Sequence, residues 1–231
     1  MYHRVVKKEL TDSKFNVFVT EKNLEQQIQY FLKRKYQLVT FKDLQTQFIK
    51  KPMILTFDDG YLDNYQNLYP ILKKYNVKAV IFVLVNSSYN HWDVDLGEPR
   101  AELMTDEHIL ELSKSGLVEI ASHGMNHHHL PKLNDISLNN ELIESKKKIE
   151  KLLNDKVVSF AYPYGDYDER EKQAVKNSGY DFGIATVKGS AYFKDDLFEI
   201  RRVHMFPNES KVSLWKKSSG FYLRYLKIKG K

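Results

Sequence analysis

The chain has 231 residues, of which 42% are apolar, 13% aromatic and 29% charged; this suits one globular domain with at most an appendage and excludes global disorder. Thirty-six Lys and Arg against thirty Asp and Glu leave a formal charge of +6, a mild excess that does not by itself indicate nucleic acid. The absence of cysteine excludes disulfides, thiolate catalysis and sulfur-bound zinc, so any metal must sit on His and carboxylates.

After a short strand over residues 2–6, Leu24, Ile28, Phe31 and Leu32 share one face of a helix over 21–34, behind a cap at Thr20. Residues 36–41 read as a strand and 43–49 as a short helix. The apolar run MILTF, 53–57, predicts a buried strand that stops at Asp58, Asp59 and Gly60. Leu62, Tyr65, Tyr69 and Leu72 recur at three and four, which predicts a helix over 61–75 before a strand over 77–84. The aperiodic stretch 86–102, with Gly97 and Pro99, reads as a surface excursion suited to a substrate rim. Next come a helix over 105–114 ending at Gly116, the strand LVEIAS to Ser122, and a His-rich turn opening at His123. A long helix over 138–153 with Ser137 as cap, a strand over 157–162 and a helix over 169–177 closed by Gly179 follow, then strands over 180–186 and 197–205. This alternation predicts parallel α/β architecture with about eight strands. Polar motifs recur at the C-terminal ends of several strands, where barrel enzymes build their sites, so the expected fold is a distorted (β/α)7-8 barrel, a single domain over 1–210 with a basic aromatic tail over 211–231.

The strongest local signal is TFDDG, residues 56–60. Adjacent carboxylates after an apolar strand repel one another unless a cation or an unequal share of protons compensates; the plainer reading is a turn whose Asp side chains bond backbone amides. Four histidines, His123, His127, His128 and His129, fall in SHGMNHHHL after another strand. His123 and His127 bracket a turn short enough to bring two nitrogens to one ion, and with Asp59 they make a set that leaves positions open for water and substrate. In FAYPYG, Pro163 and Gly165 make a sharp turn able to aim a backbone N–H, such as that of Tyr164, into the cleft as an oxyanion donor. His3 and His204, in the first and last strands, are candidate general acids.

TFDDG, SHGMNH and AYPYG, in this order on successive strand ends, resemble the motifs of the polysaccharide deacetylases, the NodB-homology carbohydrate esterases, over residues 53–185. The resemblance implies a distorted, often seven-stranded barrel, Asp58 as catalytic base, Asp59, His123 and His127 as metal ligands, and a divalent cofactor, Zn2+ first with Co2+ or Ni2+ as alternatives. It is nearer to the subgroup that deacetylates poly-β-1,6-N-acetylglucosamine, whose YHRV-like first strand is matched by residues 2–5. Motif order in that subgroup looks circularly permuted, which implies His3 as the acid in preference to His204. Three departures stand out: His128 replaces the proline that usually follows the second histidine, Ala161 replaces the arginine that orients the base, and the C-terminal leucine–histidine motif has only VHMF, with His204, as a candidate remnant.

The implied activity is metal-dependent hydrolysis of N-acetyl groups on amino sugars in a polysaccharide or glycan precursor. The same site would serve O-acetyl esters or other amides, and a catalytically inactive glycan-binding barrel is the alternative from another class. Tyr61, Trp92 and Pro163 are candidate substrate-binding residues, with Asp63 as an acidic rim for a cationic product. The expected partners are an N-acetylated glycan and no nucleic acid. From 211 to 231 the tail holds seven Lys or Arg and no acid, interleaved with Leu214, Trp215, Phe221, Tyr222, Tyr225 and Leu226. That pattern suits peripheral contact with an anionic membrane, and equally a terminal helix packing its aromatics on the barrel. No run nears a spanning helix and MYHRVVKKEL lacks a signal peptide's apolar core, so the expected location is cytoplasmic, or extracytoplasmic if a signal was trimmed.

Overall fold

The computed structural model describes residues 1–186, 188–190 and 192–229. In chain order its strands and helices are β1 (Arg4–Val6), β2 (Phe18–Thr20), α1 (Glu21–Lys33), β3 (Gln37–Leu38), α2 (Phe41–Thr46), β4 (Pro52–Met53), β5 (Thr56–Phe57), α3 (Tyr69–Tyr75), β6 (Ala79–Val83) and α4 (His91–Val94). They continue as α5 (Asp106–Lys114), β7 (Val118–Ser122), α6 (Asp135–Leu153), β8 (Ser159–Ala161), α7 (Glu169–Asn177), β9 (Phe182–Ala185), β10 (Ile200–Arg201), α8 (Lys211–Ser218) and α9 (Tyr222–Ile228).

Strands β5 to β10 form one sheet in sequential order, every pairing parallel. The six strands curl into a half-barrel with helices on its outer face, the single-domain α/β architecture expected from the alternation of elements. Strand β6 shows why its sequence is continuously apolar. Its side chains alternate, Val80 and Phe82 joining one buried cluster with Phe41, Ala161 and Ile184, while Ala79, Ile81 and Val83 join the larger cluster that holds Leu72, Leu112 and Leu142 from the helices. A strand buried on both faces has no wet side to encode.

The N-terminal segment lies along the free edge of β5. Tyr2 N donates to Thr56 O at 2.8 Å and Asp58 N to Tyr2 O at 3.0 Å, while Met205 N donates to Met1 O at 3.0 Å. The segment therefore bridges β5 and the chain that leaves β10, joining the two ends of the half-barrel. Its next turn is fastened from the 61–68 region, with Asn64 Nδ2 bonded to His3 O, Asn67 Nδ2 to Val5 O, and Asp63 to both Val5 N and Arg4 Nε.

Several boundaries differ from the sequence expectation. The run 53–57 splits because the chain changes partner within it: Met53 pairs with Leu38, whereas Thr56 and Phe57 pair with β6. Residue Phe41 belongs to a helix, since Thr40 and Asp43 form a reciprocal capping box that starts α2 there. The long helix begins at Asp135 with Asn134 as its cap, and Ser137 supplies the backbone N–H that Asn134 accepts. The segment 61–75 opens with a wide π turn over Asn64–Leu68 before α3, with Pro70 in the first turn of α3. In the tail, Leu214 is buried in the main core, and Trp215, Phe221 and Tyr225 are exposed; residues 230–231 lie outside the described residues. Among the described residues no helix is long and apolar enough to cross a membrane.

Candidate active site

The C-terminal ends of β5, β7, β8, β9 and β10 open onto one cavity of about 430 Å3. β5 delivers Asp58 and Asp59, β7 delivers His123, and the turn after it delivers His127; the chain after β8 contributes Tyr164, and Arg202 follows β10. Three of these residues hold a left-handed backbone: Asp59 at φ +70°, His127 at +58° and Tyr164 at +60°. Such conformations disfavour non-glycine residues by roughly 1–3 kcal/mol each and persist where surrounding structure dictates them. Gly60 and Gly165 complete two of the turns. A Cβ at Gly60 would lie 3.0 Å from Val83 Cγ1, and one at Gly165 would overlap Thr186 Oγ1 at 1.7 Å.

Asp59, His123 and His127 are all buried, and one ligand atom from each falls within 4.8 Å of the others. Asp59 Oδ1 is 3.3 Å from His123 Nε2 and 3.4 Å from His127 Nε2, without the geometry of a hydrogen bond to any partner among the described residues. Lone pairs converging on one point, rather than donors aimed at acceptors, are what a cation requires. His123 Nδ1 is 2.8 Å from Ala161 O; a proton held there by the carbonyl leaves Nε2 free as a ligand. The residues present therefore fit a divalent metal with nitrogen and oxygen ligands. Burial pushes the Asp59 carboxyl up, but His123 and His127 outweigh it and hold the group well below the usual carboxylate range.

Asp58 is buried in a bidentate grip. Arg202 Nη1 donates to Oδ1 at 2.5 Å and Nη2 to Oδ2 at 2.6 Å, and Nη1 also reaches Thr56 Oγ1 at 3.2 Å. Burial raises the Asp58 pKa, yet Arg202, followed by His123 and His3, brings it below its ordinary value. His3 and His204 both line the cavity, their rings 5.8 Å apart. Burial lowers the pKa of each. For His3, Asp59 and Asp58 oppose the shift, whereas His204 falls to about 3 through burial and then its cationic neighbours.

The polysaccharide deacetylase family profile matches residues 45–183. The chain belongs to the polysaccharide deacetylase family. The Bacillus subtilis (strain 168) protein YxkH, whose name places it provisionally among polysaccharide deacetylases, is 31% identical over 216 residues, 91% of this chain and 71% of its own. A poly-β-1,6-N-acetyl-D-glucosamine N-deacetylase from Staphylococcus epidermidis is 28% identical over 245 residues, 95% of this chain and 82% of its own. Among solved structures, the Streptococcus pyogenes deacetylase PplD in complex with acetate aligns at TM-score 0.81 with 26% identity, covering 95% of this chain and 96% of that one.

Within this deacetylase the rim residues read from sequence fall differently. Trp92 lines the cavity, but its ring stacks on His127 at 4.4 Å, so one face supports a candidate ligand. Tyr61 is 0% exposed and packs with Leu84, Trp92 and Leu103, which removes it from any substrate surface. Asp63 is turned toward Arg4 at 2.9 Å and away from any rim. Pro163 is buried in the turn and shapes it, while Tyr164 reaches the cavity and stacks on His129 at 3.8 Å. His128 and His129 are occupied outside the three-residue group, with Glu141 at 2.9 Å and Asp166 at 3.3 Å respectively.

Two functional side chains escaped the sequence reading. The arginine missing at Ala161 is replaced in space by Arg202, which lies one position beyond β10 and 144 positions from Asp58. Ala161 contributes its carbonyl to His123 instead. Glu141, on α6, is buried and gathers Met125 N at 2.7 Å, Asn126 N at 3.2 Å, Asn126 Nδ2 at 2.7 Å and His128 Nδ1 at 2.9 Å, so it ties down the turn that carries His127.

Proposed function

We propose that the chain is a metal-dependent hydrolase that removes N-acetyl groups from N-acetylated amino sugars in a polysaccharide or glycan precursor. The observation that carries the reading is the pairing of Asp58, gripped by Arg202, with the adjacent convergence of Asp59, His123 and His127. Those three residues would hold the cation, zinc first and cobalt or nickel as alternatives, which supplies Lewis acidity and lowers the pKa of water at the site from 15.7 toward about 7.

The chain's own groups do the rest. Asp58 accepts the proton of the attacking water on a carboxylate lone pair not taken by Arg202, and the grip keeps it ionised for that task. The backbone N–H of Tyr164 donates to the oxyanion that develops on the acetyl oxygen, a contribution of ~3 kcal/mol for one well-placed donor. His3 gives a proton to the departing nitrogen, and the products are acetate and a free amine. Burial lowers the pKa of both histidines; His3 suits the role better because Asp59 and then Asp58 oppose its shift, whereas His204 falls to about 3. Similarity to the Staphylococcus epidermidis enzyme supports β-1,6-linked N-acetylglucosamine as the first glycan to offer.

The test is acetate release from N-acetylglucosamine oligomers by zinc-loaded protein. Expected are activity that a chelator removes and zinc restores, and a loss of about 10²-fold or more in Asp58→Asn. Acetate released from O-acetylated xylan alone would assign an esterase, and none from either would assign an inactive barrel.

A further inference from the structure

The run of three histidines after β7 fills three different posts. His127 joins the candidate ligand group and His128 is bonded to Glu141, which leaves His129 unassigned in the reaction. The His129 ring lies flat on the ring of Tyr164, with centroids 3.8 Å apart and planes 8° from parallel. Its Nδ1 is 3.3 Å from Asp166 Oδ2, on the chain just beyond Tyr164. Its backbone has a firm base: Lys132 N donates to His129 O at 3.0 Å, and the next residue, Leu130, is 0% exposed in the main core.

What the His129 ring holds is an unfavourable turn. Gly165 N donates to Tyr162 O at 2.9 Å, closing a four-residue turn with Pro163 and Tyr164 at its centre. Tyr164 is third, at φ +60° and ψ −1°. That is the backbone of a type II turn, whose third residue is ordinarily glycine because a side chain is crowded there. Proline in second place suits a type I turn equally, and type I would return Tyr164 to negative φ. The two forms differ by a half-rotation of the peptide plane between Pro163 and Tyr164. That plane carries the Tyr164 N–H, so the form that prevails sets the direction of this donor. A strained residue persists only where surrounding contacts hold it. For Tyr164 those contacts are made by its ring: His129 covers one face, and the His127 ring stands edge-on to it with centroids 4.4 Å apart.

Resting on the deacetylase reading above, we propose that His129 is a positioning residue whose stack on Tyr164, tethered by Asp166, keeps the 162–165 turn in its type II form and the Tyr164 N–H aimed at the acetyl oxygen. His129 touches no reacting atom in this role. Without the stack a share of the molecules flips the peptide and loses the donor, which lowers turnover and leaves substrate and metal binding intact.

Two readouts test this. In protein with isotopically labelled tyrosine, a strong nuclear Overhauser contact between Pro163 Hα and the Tyr164 N–H marks the type II form, because the flip turns the N–H away from that hydrogen. The contact should be strong in the parent, weak in His129→Ala and restored in His129→Phe, which keeps a flat ring. In the zinc-loaded protein His129→Ala should lower kcat on an N-acetylglucosamine oligomer about tenfold, short of the roughly 10²-fold or more that outright loss of one oxyanion donor costs, with KM and zinc affinity unchanged. His129→Phe should recover most of that loss. Tyr164→Gly, which takes positive φ without strain, should free the turn from the stack, so adding His129→Ala to it should cost nothing further. A contact that stays strong in His129→Ala, a loss that His129→Phe does not restore, an equal loss in the Tyr164→Gly background, or a raised KM with kcat unchanged would overturn the role. A contact weakened in His129→Ala, in a parent that releases no acetate, would remove the deacetylase reading and leave the stack as the lock of the turn.

Discussion

Asp58 shows how one side chain's chemistry is set by another far away in sequence. Burial alone would raise its pKa and disfavour the ionised form a base needs; Arg202 is the foremost of the groups that reverse this. Arg202→Met should therefore raise the Asp58 pKa, move the acidic limb of the pH–rate profile upward, and lower kcat at neutral pH by about 10²-fold while zinc binding persists. Arg202→Lys should recover part of the activity, since a point charge replaces the charge but not the two parallel bonds. An unmoved acidic limb in Arg202→Met would show that another group keeps the base ionised. The sequence announced Asp58 and Asp59 by their position after an apolar strand, yet it could not single out Arg202. RRVH offers two adjacent arginines, and only the end of β10 against Thr56 decides which one meets Asp58. The available signal was a cation at the C-terminal end of the last strand.

Elements with a strong period or a clear cap were legible. Residues 169–177 form α7 as read, because Asp168 and Glu171 make a capping box at one end and Gly179 follows the other. Short strands were not, because their ends depend on which neighbour they pair with, as at Met53 and Thr56. Likewise α6 reveals its second role only in three dimensions: Glu141 lies on the buried stripe with Leu138, Leu142, Ser145 and Ile149, but helical spacing does not say what a carboxylate there would bond. Its four bonds to Met125, Asn126 and His128, on both sides of His127, make it a positioning residue for His127. Glu141→Gln should weaken zinc about 10-fold or more, the usual effect of loosening the support of a ligand. The measurement is a competition titration with a chromophoric chelator, read beside the melting temperature of the metal-free protein. Unchanged zinc affinity with a lowered melting temperature would reduce Glu141 to a structural contact.

At the scale of the whole molecule, the barrel expectation captured the class of fold and the end of the sheet that carries the site. Six of the expected strands form the main sheet as β5 to β10, whereas 2–6 supplies β1, paired with β2, and 36–41 supplies β3, paired with β4. The N-terminal segment takes one of the missing places, bonded between β5 and Met205, and this brings His3 to the same cavity as residues from five other strand ends. Closure of that kind is invisible to local periodicity, because it joins segments some 200 positions apart. On the function proposed above, this arrangement makes one cation site from Asp59, His123 and His127. Zinc titration of the full chain tests it most directly: one equivalent should bind per chain, and Asp59→Ala or His123→Ala should each abolish tight binding. Tight binding that survives in Asp59→Ala, or no zinc bound by the unaltered chain, would rule out a cation site built from these three residues.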